Sequence, residues 1–163
     1  MQAPGAGSIE FAAWIRPHWS DMQLLARRLC GPHTAEDALQ EALTAAWRKR
    51  QQFDPQRGSP RAWLLAVVAD QARKQRRRLR IAAELTDETL VPAPDSQPDV
   101  ALDLTNVLRQ LTQRQQLVIS LFYYLDVPVA ETAQIMGCSI GTVKSTLSDA
   151  RRRLRTLLGE EYR

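Results

Sequence analysis

The sequence predicts an all-α protein in which two small helical domains are joined by a flexible acidic, proline-rich linker. Apolar residues recur at helical spacing along nearly the whole chain, and the alternating apolar and polar runs of strands are missing. Residues 81–100 break this pattern with three prolines, five acids and no basic residue. That composition offers too few large apolar groups to offset the entropy of ordering. We therefore expect a first domain at 1–80, a linker at 81–100 and a second domain at 101–163.

The first domain is predicted to begin with two short helices. Ser8 is the candidate N-cap of the first helix, and Pro17 should break or kink it. The second helix, over about 19–30, should end at Gly31-Pro32, because glycine tolerates a left-handed cap and proline cannot continue a helix.

The third and fourth helices of this domain have start signals of their own. Thr34 should cap the third helix, with Asp37 as its partner in a capping box. A loop at 51–59 follows. Ser59 as N-cap and Pro60 at the first helical position should then open the fourth helix.

The second domain is predicted to contain four helices. The first ends near Leu111, and Thr112 with Gln115 forms a capping box that starts the next. A short helix, a tight turn at 137–139 and a final helix over about 140–158 complete the domain.

The strongest functional signal is a helix-turn-helix in 129–152. Ala133 supplies the small residue that two steeply crossing helices need where they touch, and Gly137 tolerates the positive φ of the turn. Ser139 caps the second helix at the end that enters the major groove in such motifs. The residues expected to face DNA are Ser139, Thr142, Lys144, Ser145, Ser148, Arg151 and Arg152. The alternative is a helical hairpin with a solvated polar face.

A second signal is the basic run at 73–80, where eight residues carry six positive charges. Like charges this dense on a helix repel one another by about a few tenths of a kcal/mol per neighbouring pair. The repulsion is tolerable where phosphates neutralise the charges, which favours nucleic-acid binding. The alternative is a solvated helix end whose cations complement the helix dipole.

A third signal is an acidic and polar face on the third helix, formed by Asp37, Gln40 and Glu41. On a chain that binds DNA, such a face should avoid phosphates and suits a protein partner that presents arginines. The alternative is an ordinary solvated face.

Sequence patterns of catalysis are missing. There is no Gly-rich phosphate loop, no nucleophile elbow and no His-rich metal helix, so we predict no enzymatic activity, catalytic residue, metal site or cofactor. Cys30 and Cys138 fit no metal-ligand spacing, although with His18 and His33 they leave a metal enzyme as an alternative from another class. No leader or apolar run of membrane-spanning length is present, so we expect an intracellular protein without membrane insertion.

Two sets of motifs resemble the extracytoplasmic-function (ECF) sigma factors of bacterial RNA polymerase. The motifs that resemble sigma region two are TAEDALQEA at 34–42, Trp47-Arg48, 53–59 and Ala62-Trp63-Leu64, and those that resemble region four are Arg114-Gln115, 131–133 and GCSIGTVKS at 137–145. They cover nearly the whole chain in the right order, with the predicted linker between them. Either set alone is moderately specific, whereas both together are highly specific.

This resemblance implies a bacterial sigma factor that directs promoter recognition and transcription initiation and is not an enzyme. Its partners would be core RNA polymerase, promoter DNA both as duplex and as unpaired non-template strand, and an anti-sigma protein. It would act in the cytoplasm, with the acidic linker threaded through polymerase. The rival function is a stand-alone helix-turn-helix regulator that binds duplex DNA without polymerase.

The resemblance also assigns a role to each of the three signals. Asp37, Gln40 and Glu41 would bind the clamp helices of the largest polymerase subunit. The residues implied in promoter melting and strand capture are Phe53, Arg57, Arg73, Lys74, Arg76 and Arg77. The helix-turn-helix would read the distal promoter element as duplex. Phe53 is a candidate to stack on a base, whereas Trp63 falls on the apolar stripe of its helix and is expected in the core.

Four residues depart from the family pattern. Asp70 and Lys74 stand where the promoter-reading helix commonly carries Asn and Asp, so the strand specificity of the family does not carry over. Thr112 replaces a frequent proline and still caps its helix. Pro128 replaces the usual Ser or Thr at the start of the helix-turn-helix and gives up the side-chain cap.

Overall fold

The regular structure of the chain is helical throughout the residues that the structure, a computed structural model, describes, namely 7–86 and 100–161. In chain order the α-helices are α1 (Ser8–Ile15), α2 (Trp19–Cys30), α3 (Ala35–Lys49), α4 (Pro60–Thr86), α5 (Val100–Arg109), α6 (Gln113–Ile119), α7 (Val129–Met136) and α8 (Ile140–Glu161). Short 3₁₀ turns at Arg16–His18 and Arg50–Gln52 and a π-helical turn at Ser120–Tyr124 lie between them. The predicted all-α class is confirmed.

Several predicted start and stop signals lie where helices begin and end. Gly31 has a φ of 78° at the end of α2, a conformation that favours glycine. Ser59 accepts a hydrogen bond from the Ala62 amide at 3.1 Å and so caps α4. Thr112 and Gln115 form the reciprocal capping box of α6. Local chemistry therefore fixes these boundaries.

Two predicted N-caps are wrong. Gly7, and not Ser8, is the N-cap of α1, and Ser8 is the first helical residue. Thr34 precedes α3 as expected, but its hydroxyl donates to the Cys30 carbonyl at 2.7 Å and forms no capping box with Asp37. The reason is the backbone at Thr34, which is near-helical (φ −114°, ψ −5°) where a capping side chain needs an extended conformation.

The fourth helix is longer than predicted. α4 runs to Thr86 and so includes six residues of the range that we predicted as linker, 81–100. Alanine and leucine in this stretch are good helix formers, and Arg80 pairs with Glu84 one turn on, at 3.7 Å. The remaining predicted linker residues up to 99 lie outside the described residues.

The long helices of the first half pack around one apolar core. The largest side chains fully buried between α2 and α4 are Met22, Leu25, Leu64, Leu65 and Val68. An aromatic group packs with this core and consists of Phe11, Trp14, Trp47, Phe53 and Trp63. α3 covers the core by lying against both α2 and α4.

A smaller core holds the C-terminal helices together. Its buried residues are Leu111, Val118, Ile119, Ala133, Val143, Leu147 and Ala150. α6 and α7 both pack against α8, so this core seats the last helix against the two before it.

The two halves of the chain also share apolar packing. Leu121, Leu125, Val127 and Ile135 follow the predicted linker in sequence, yet they belong to the same buried cluster as the residues of α2 and α4. α7 lies against α4, and α6 lies against α2. We refer to this packing of the two halves as the closed arrangement.

Polar contacts reinforce the closed arrangement. Arg61 of α4 pairs with Asp21 of α2 at 2.7 Å and also donates to the Leu125 carbonyl at 2.5 Å. The Arg28 guanidinium of α2 lies over the Tyr124 ring, 3.2 Å from its centroid. The first half thus holds the π-helical turn through both a backbone carbonyl and an aromatic ring.

Candidate nucleic-acid interface

The helix-turn-helix predicted at 129–152 consists of α7, a three-residue turn and α8. Gly137 adopts the left-handed conformation (φ 61°, ψ 40°) and its amide closes the last turn of α7. Ala133 is buried in the small core that joins α7 to α8. Ser139 accepts a hydrogen bond from the Thr142 amide at 3.1 Å and caps α8. The local roles predicted for these three residues are therefore confirmed.

The start of α7 lacks a side-chain cap, as its proline suggested. Pro128 is the N-cap residue and makes no side-chain hydrogen bond there. The fully buried Thr132 hydroxyl instead donates to the Val127 carbonyl at 3.3 Å. This bond ties the first turn of α7 to the loop residue before Pro128.

One side of α8 faces solvent and carries most of the residues predicted to contact DNA. Val143, Leu147 and Ala150 are buried on the other side. The exposed predicted residues are Ser139, Lys144, Ser145, Ser148, Arg151 and Arg152, and Thr142 is half-buried. We call this surface the α8 face. It is open to solvent in the closed arrangement.

The two arginines of the α8 face have different partners. Arg152 pairs with Asp149, whose carboxylate neutralises it. Arg151 instead donates from Nε to the Tyr123 hydroxyl oxygen at 2.6 Å. Tyr123 was not predicted as a site residue, and three consecutive aromatic residues at 122–124 were the only sequence signal for it. Among the described residues, Lys144 makes no ion pair.

The basic run of α4 is partly neutralised from within the helix. Asp70 pairs with Arg73 at 2.7 Å and with Lys74 at 2.8 Å. Burial of the Asp70 carboxyl opposes ionisation, but hydrogen bonds and charge from Lys74 and Arg73 hold its pKa below its usual value. Arg73 and Lys74 were both predicted to contact the unpaired DNA strand. They already have an acidic partner, because Asp70 stands where the family commonly carries Asn.

Arg76 and Arg77, the other two α4 residues predicted to contact the unpaired DNA strand, differ in exposure. Arg76 is half-buried and donates to the Gln116 amide oxygen of α6 at 2.9 Å, and burial lowers its pKa. Arg77 is exposed. The second half of the chain thus covers Arg76 in the closed arrangement and leaves Arg77 accessible.

The loop before α4 places its two predicted contacts very differently. Arg57 is exposed, whereas Phe53 is only 5% exposed. The Phe53 ring packs edge-on against Trp14 and Trp63, with centroids 5.3 and 5.9 Å away. The suggestion that Phe53 stacks on a base does not fit this structure, because the two indoles enclose the ring. Trp63 packs against the core, as expected.

The predicted polymerase-binding residues lie together on α3, and we call them the α3 face. Asp37 and Gln40 are exposed, and Glu41 is half-buried. Glu41 pairs with Arg78 of α4 at 2.6 Å. The Glu41–Arg78 pair therefore brings the acidic face and the basic run into direct contact.

Metal-ligating side chains are not brought together. The described residues contain no group of three or more His, Cys, Asp and Glu side chains that could hold a metal ion. Cys30 and Cys138 are free thiols, and burial raises the pKa of the Cys30 thiol. Within the same part of the chain, no helix has the length and apolar character needed to cross a bilayer.

Two family models match the chain, one in each half. The model described as Sigma-70 region 2 matches residues 13–81, and the model described as Sigma-70, region 4 matches residues 101–154. The first range contains the α3 face and the basic run of α4, and the second contains the helix-turn-helix. Both matches agree with the resemblance identified from the sequence.

Curated relatives match over most of their own length. The ECF RNA polymerase sigma factor SigL of Mycobacterium tuberculosis is 34% identical over 167 residues, which cover 96% of this chain and 94% of the relative. The ECF RNA polymerase sigma factor SigK of Mycobacterium bovis is 32% identical over 139 residues, 76% of this chain and 72% of the relative.

Solved structures have the same fold. The sigma factor RpoE of Bartonella quintana, in complex with the anti-sigma factor NepR, matches with a TM-score of 0.77 and 28% identity, covering 92% of this chain and 97% of that one. CnrH, in complex with the cytosolic domain of CnrY, matches with a TM-score of 0.70 and 24% identity, covering 95% and 91%. The second likeness concerns the fold alone.

Proposed function

This chain belongs to the ECF RNA polymerase sigma factors, and from this premise we propose how its surfaces are used. The α3 face binds core RNA polymerase. α4 holds the unpaired non-template strand of the promoter, and the α8 face reads a promoter element as duplex DNA. The protein directs transcription initiation in the cytoplasm, has no catalytic residue of its own and opens DNA without hydrolysing nucleotide.

The observation that carries this proposal is the exposed α8 face. A recognition helix must present polar side chains at its front and cations near the flanking phosphates. Ser139, Lys144 and Ser145 occupy the front of α8, and Arg151 follows two turns later. Val143, Leu147 and Ala150 are buried on the opposite side of α8, so this polar side is the one available for a groove.

A protein that inhibits by binding is a second proposed partner. RpoE was solved together with an anti-sigma factor, and it matches nearly all of this chain at 28% identity. We propose an anti-sigma factor for this protein on that basis. Such a partner would compete with polymerase for the α3 face.

Promoter-directed transcription tests the proposed function as a whole. Core RNA polymerase should start transcription from the protein's own promoters only when the protein is added, and core enzyme should co-purify with it. If the protein binds duplex DNA tightly but captures no core enzyme and stimulates no transcript, it is instead a stand-alone helix-turn-helix regulator.

Lys144→Ala tests the α8 face. If Lys144 contacts a phosphate, affinity should weaken similarly on all duplexes, and the slope of log affinity against log salt should flatten by about one unit. If it contacts a base, the loss should be about 1–3 kcal/mol at one base pair and small elsewhere. Lys49→Ala is the control, because Lys49 is also exposed but ends α3. Equal binding by Lys144→Ala and the unchanged protein would contradict the assignment.

A further inference from the structure

The π-helical turn at Ser120–Tyr124 connects α6 to the loop before α7. The Leu125 amide donates to the Ser120 carbonyl at 3.2 Å, the five-residue spacing that defines this turn. Leu121 and Leu125 are both buried, Phe122 packs against the smaller core, and the turn directs Tyr123 and Tyr124 outward. Short π-helical segments are rare and often lie at functional sites.

Two neighbouring tyrosines of this turn are each held by an arginine, but from different parts of the molecule. Arg28 of α2 lies over the Tyr124 ring. Arg151 of α8 approaches Tyr123 from its hydroxyl end, because its Nε is 2.6 Å from the phenol oxygen and its guanidinium carbon is 5.6 Å from the ring centroid. Tyr123 therefore binds Arg151 mainly through its hydroxyl group, whereas Tyr124 binds Arg28 through its ring.

The geometry leaves the two terminal nitrogens of the Arg151 guanidinium free to bind a ligand. Its Nε is occupied by Tyr123, and its two terminal nitrogens have no hydrogen-bond partner among the described residues. Two parallel N–H groups of this kind fit two oxygens of one phosphate. Arg152, the next residue, pairs with Asp149 and is less suited to the same task.

The position of Arg151 along α8 also fits a phosphate contact. It follows Lys144 by seven residues, so both lie on the same side of the helix, about 10 Å apart along its axis. When the front of a recognition helix enters the major groove, cations further back meet the DNA backbone. Arg151 is exposed, so it could contact the DNA backbone without any opening of the closed arrangement.

We infer that Tyr123 is a positioning residue, which holds Arg151 in the orientation that binds a phosphate of duplex DNA. This inference rests on the proposed function of the α8 face. A free arginine side chain loses considerable rotamer freedom when it binds. Tyr123 removes part of that loss beforehand, because Arg151 is already ordered in the unbound protein, and a pre-organised contact binds more tightly.

The test is a double-mutant cycle on the full-length protein with a short duplex of mixed sequence, since phosphate contacts do not depend on sequence. Tyr123→Phe keeps the ring and removes the hydroxyl. It should weaken binding by roughly two- to tenfold, the range of a single hydrogen bond. In an Arg151→Ala background the same substitution should have no further effect. Tyr124→Phe is the matched control and should bind like the unchanged protein, because its arginine contacts the ring.

Three outcomes would overturn the inference. An equal loss from Tyr123→Phe with and without Arg151 would mean that Tyr123 acts by itself or through the fold. An equal loss in Tyr124→Phe would mean that any hydroxyl removed from this turn disturbs it. If Arg151→Ala changed neither the affinity nor the salt slope, the proposed phosphate contact of Arg151 would fail first, and the role of Tyr123 with it.

Discussion

Replacing both Asp37 and Glu41 with arginine is expected to abolish the association of the protein with core RNA polymerase. Both acids lie on the α3 face, which we propose as the polymerase-binding surface. The reversal would exchange attraction to polymerase arginines for repulsion. Removing one partner of a desolvated charge pair at an interface costs about 2–5 kcal/mol, so affinity should fall by about a hundredfold or more.

Co-purification with core enzyme and promoter-directed transcription measure this effect. Glu10→Arg is one control, because it makes a single acid-to-arginine reversal, half of that charge change, on an exposed residue of α1. Arg78→Ala is another, because it breaks the ion pair with Glu41 and leaves the α3 face intact. The reversed variant should still bind duplex DNA, since the α8 face is unaltered. Undiminished polymerase association in the doubly reversed variant would refute the role of α3.

Replacing Leu121 with alanine is expected to destabilise both halves of the protein. Leu121 is fully buried, and although it lies in the second half of the chain, its cluster includes residues of α2 and α4. Truncating a buried leucine lowers the free energy of unfolding by about 2–5 kcal/mol, because a cavity remains that the surroundings only partly fill. Here the cavity would lie between the two halves.

The tryptophans make this prediction easy to measure. All four lie in the first half, at Trp14, Trp19, Trp47 and Trp63. Tryptophan fluorescence during urea denaturation therefore reports on the half that does not contain Leu121. We expect Leu121→Ala to lower the midpoint of that transition clearly, with the far-UV circular dichroism following the same curve.

Leu104→Ala is the matched control for Leu121→Ala. It removes the same atoms from the second half, but Leu104 is 42% exposed on α5, so we expect only a small change in the midpoint. In Leu121→Ala, the circular dichroism could show an earlier loss of helix while the urea midpoint of the fluorescence transition is unchanged. That result would show that the halves unfold independently, contrary to the shared core.

Helix boundaries were the part of the fold that the sequence predicted best, because many caps depend on a few neighbouring residues. Ser59, Thr112 and Gly137 each act within one turn of their own position. Thr34 shows the limit of such reasoning. Its hydroxyl can bond either forward to its own helix or back to the preceding turn, and the backbone conformation set by the Gly31 turn decides between the two.

The candidate site was less predictable, because its details depend on residues far apart in the chain. In sequence, Phe53 is an isolated aromatic residue in a polar loop, and its burial comes from Trp14 and Trp63. Tyr123 meets its arginine across 28 positions. No periodic pattern signals such pairs. For the same reason, the sequence predicted the basic run of α4, but it did not predict that the second half of the chain covers Arg76.

The shared core also limits how readily the protein can spread its two DNA-binding helices apart. Separating them would expose Leu121, Leu125, Val127 and Ile135 to solvent. Each fully buried aliphatic side chain stabilises the packed form by about 1.5–3 kcal/mol. Extended molecules are therefore scarce at equilibrium. A partner that recognises only the extended form binds with its intrinsic affinity multiplied by that small fraction. Substitutions that loosen the packing, while leaving each half folded, should consequently tighten the binding of that partner without touching its contact surface.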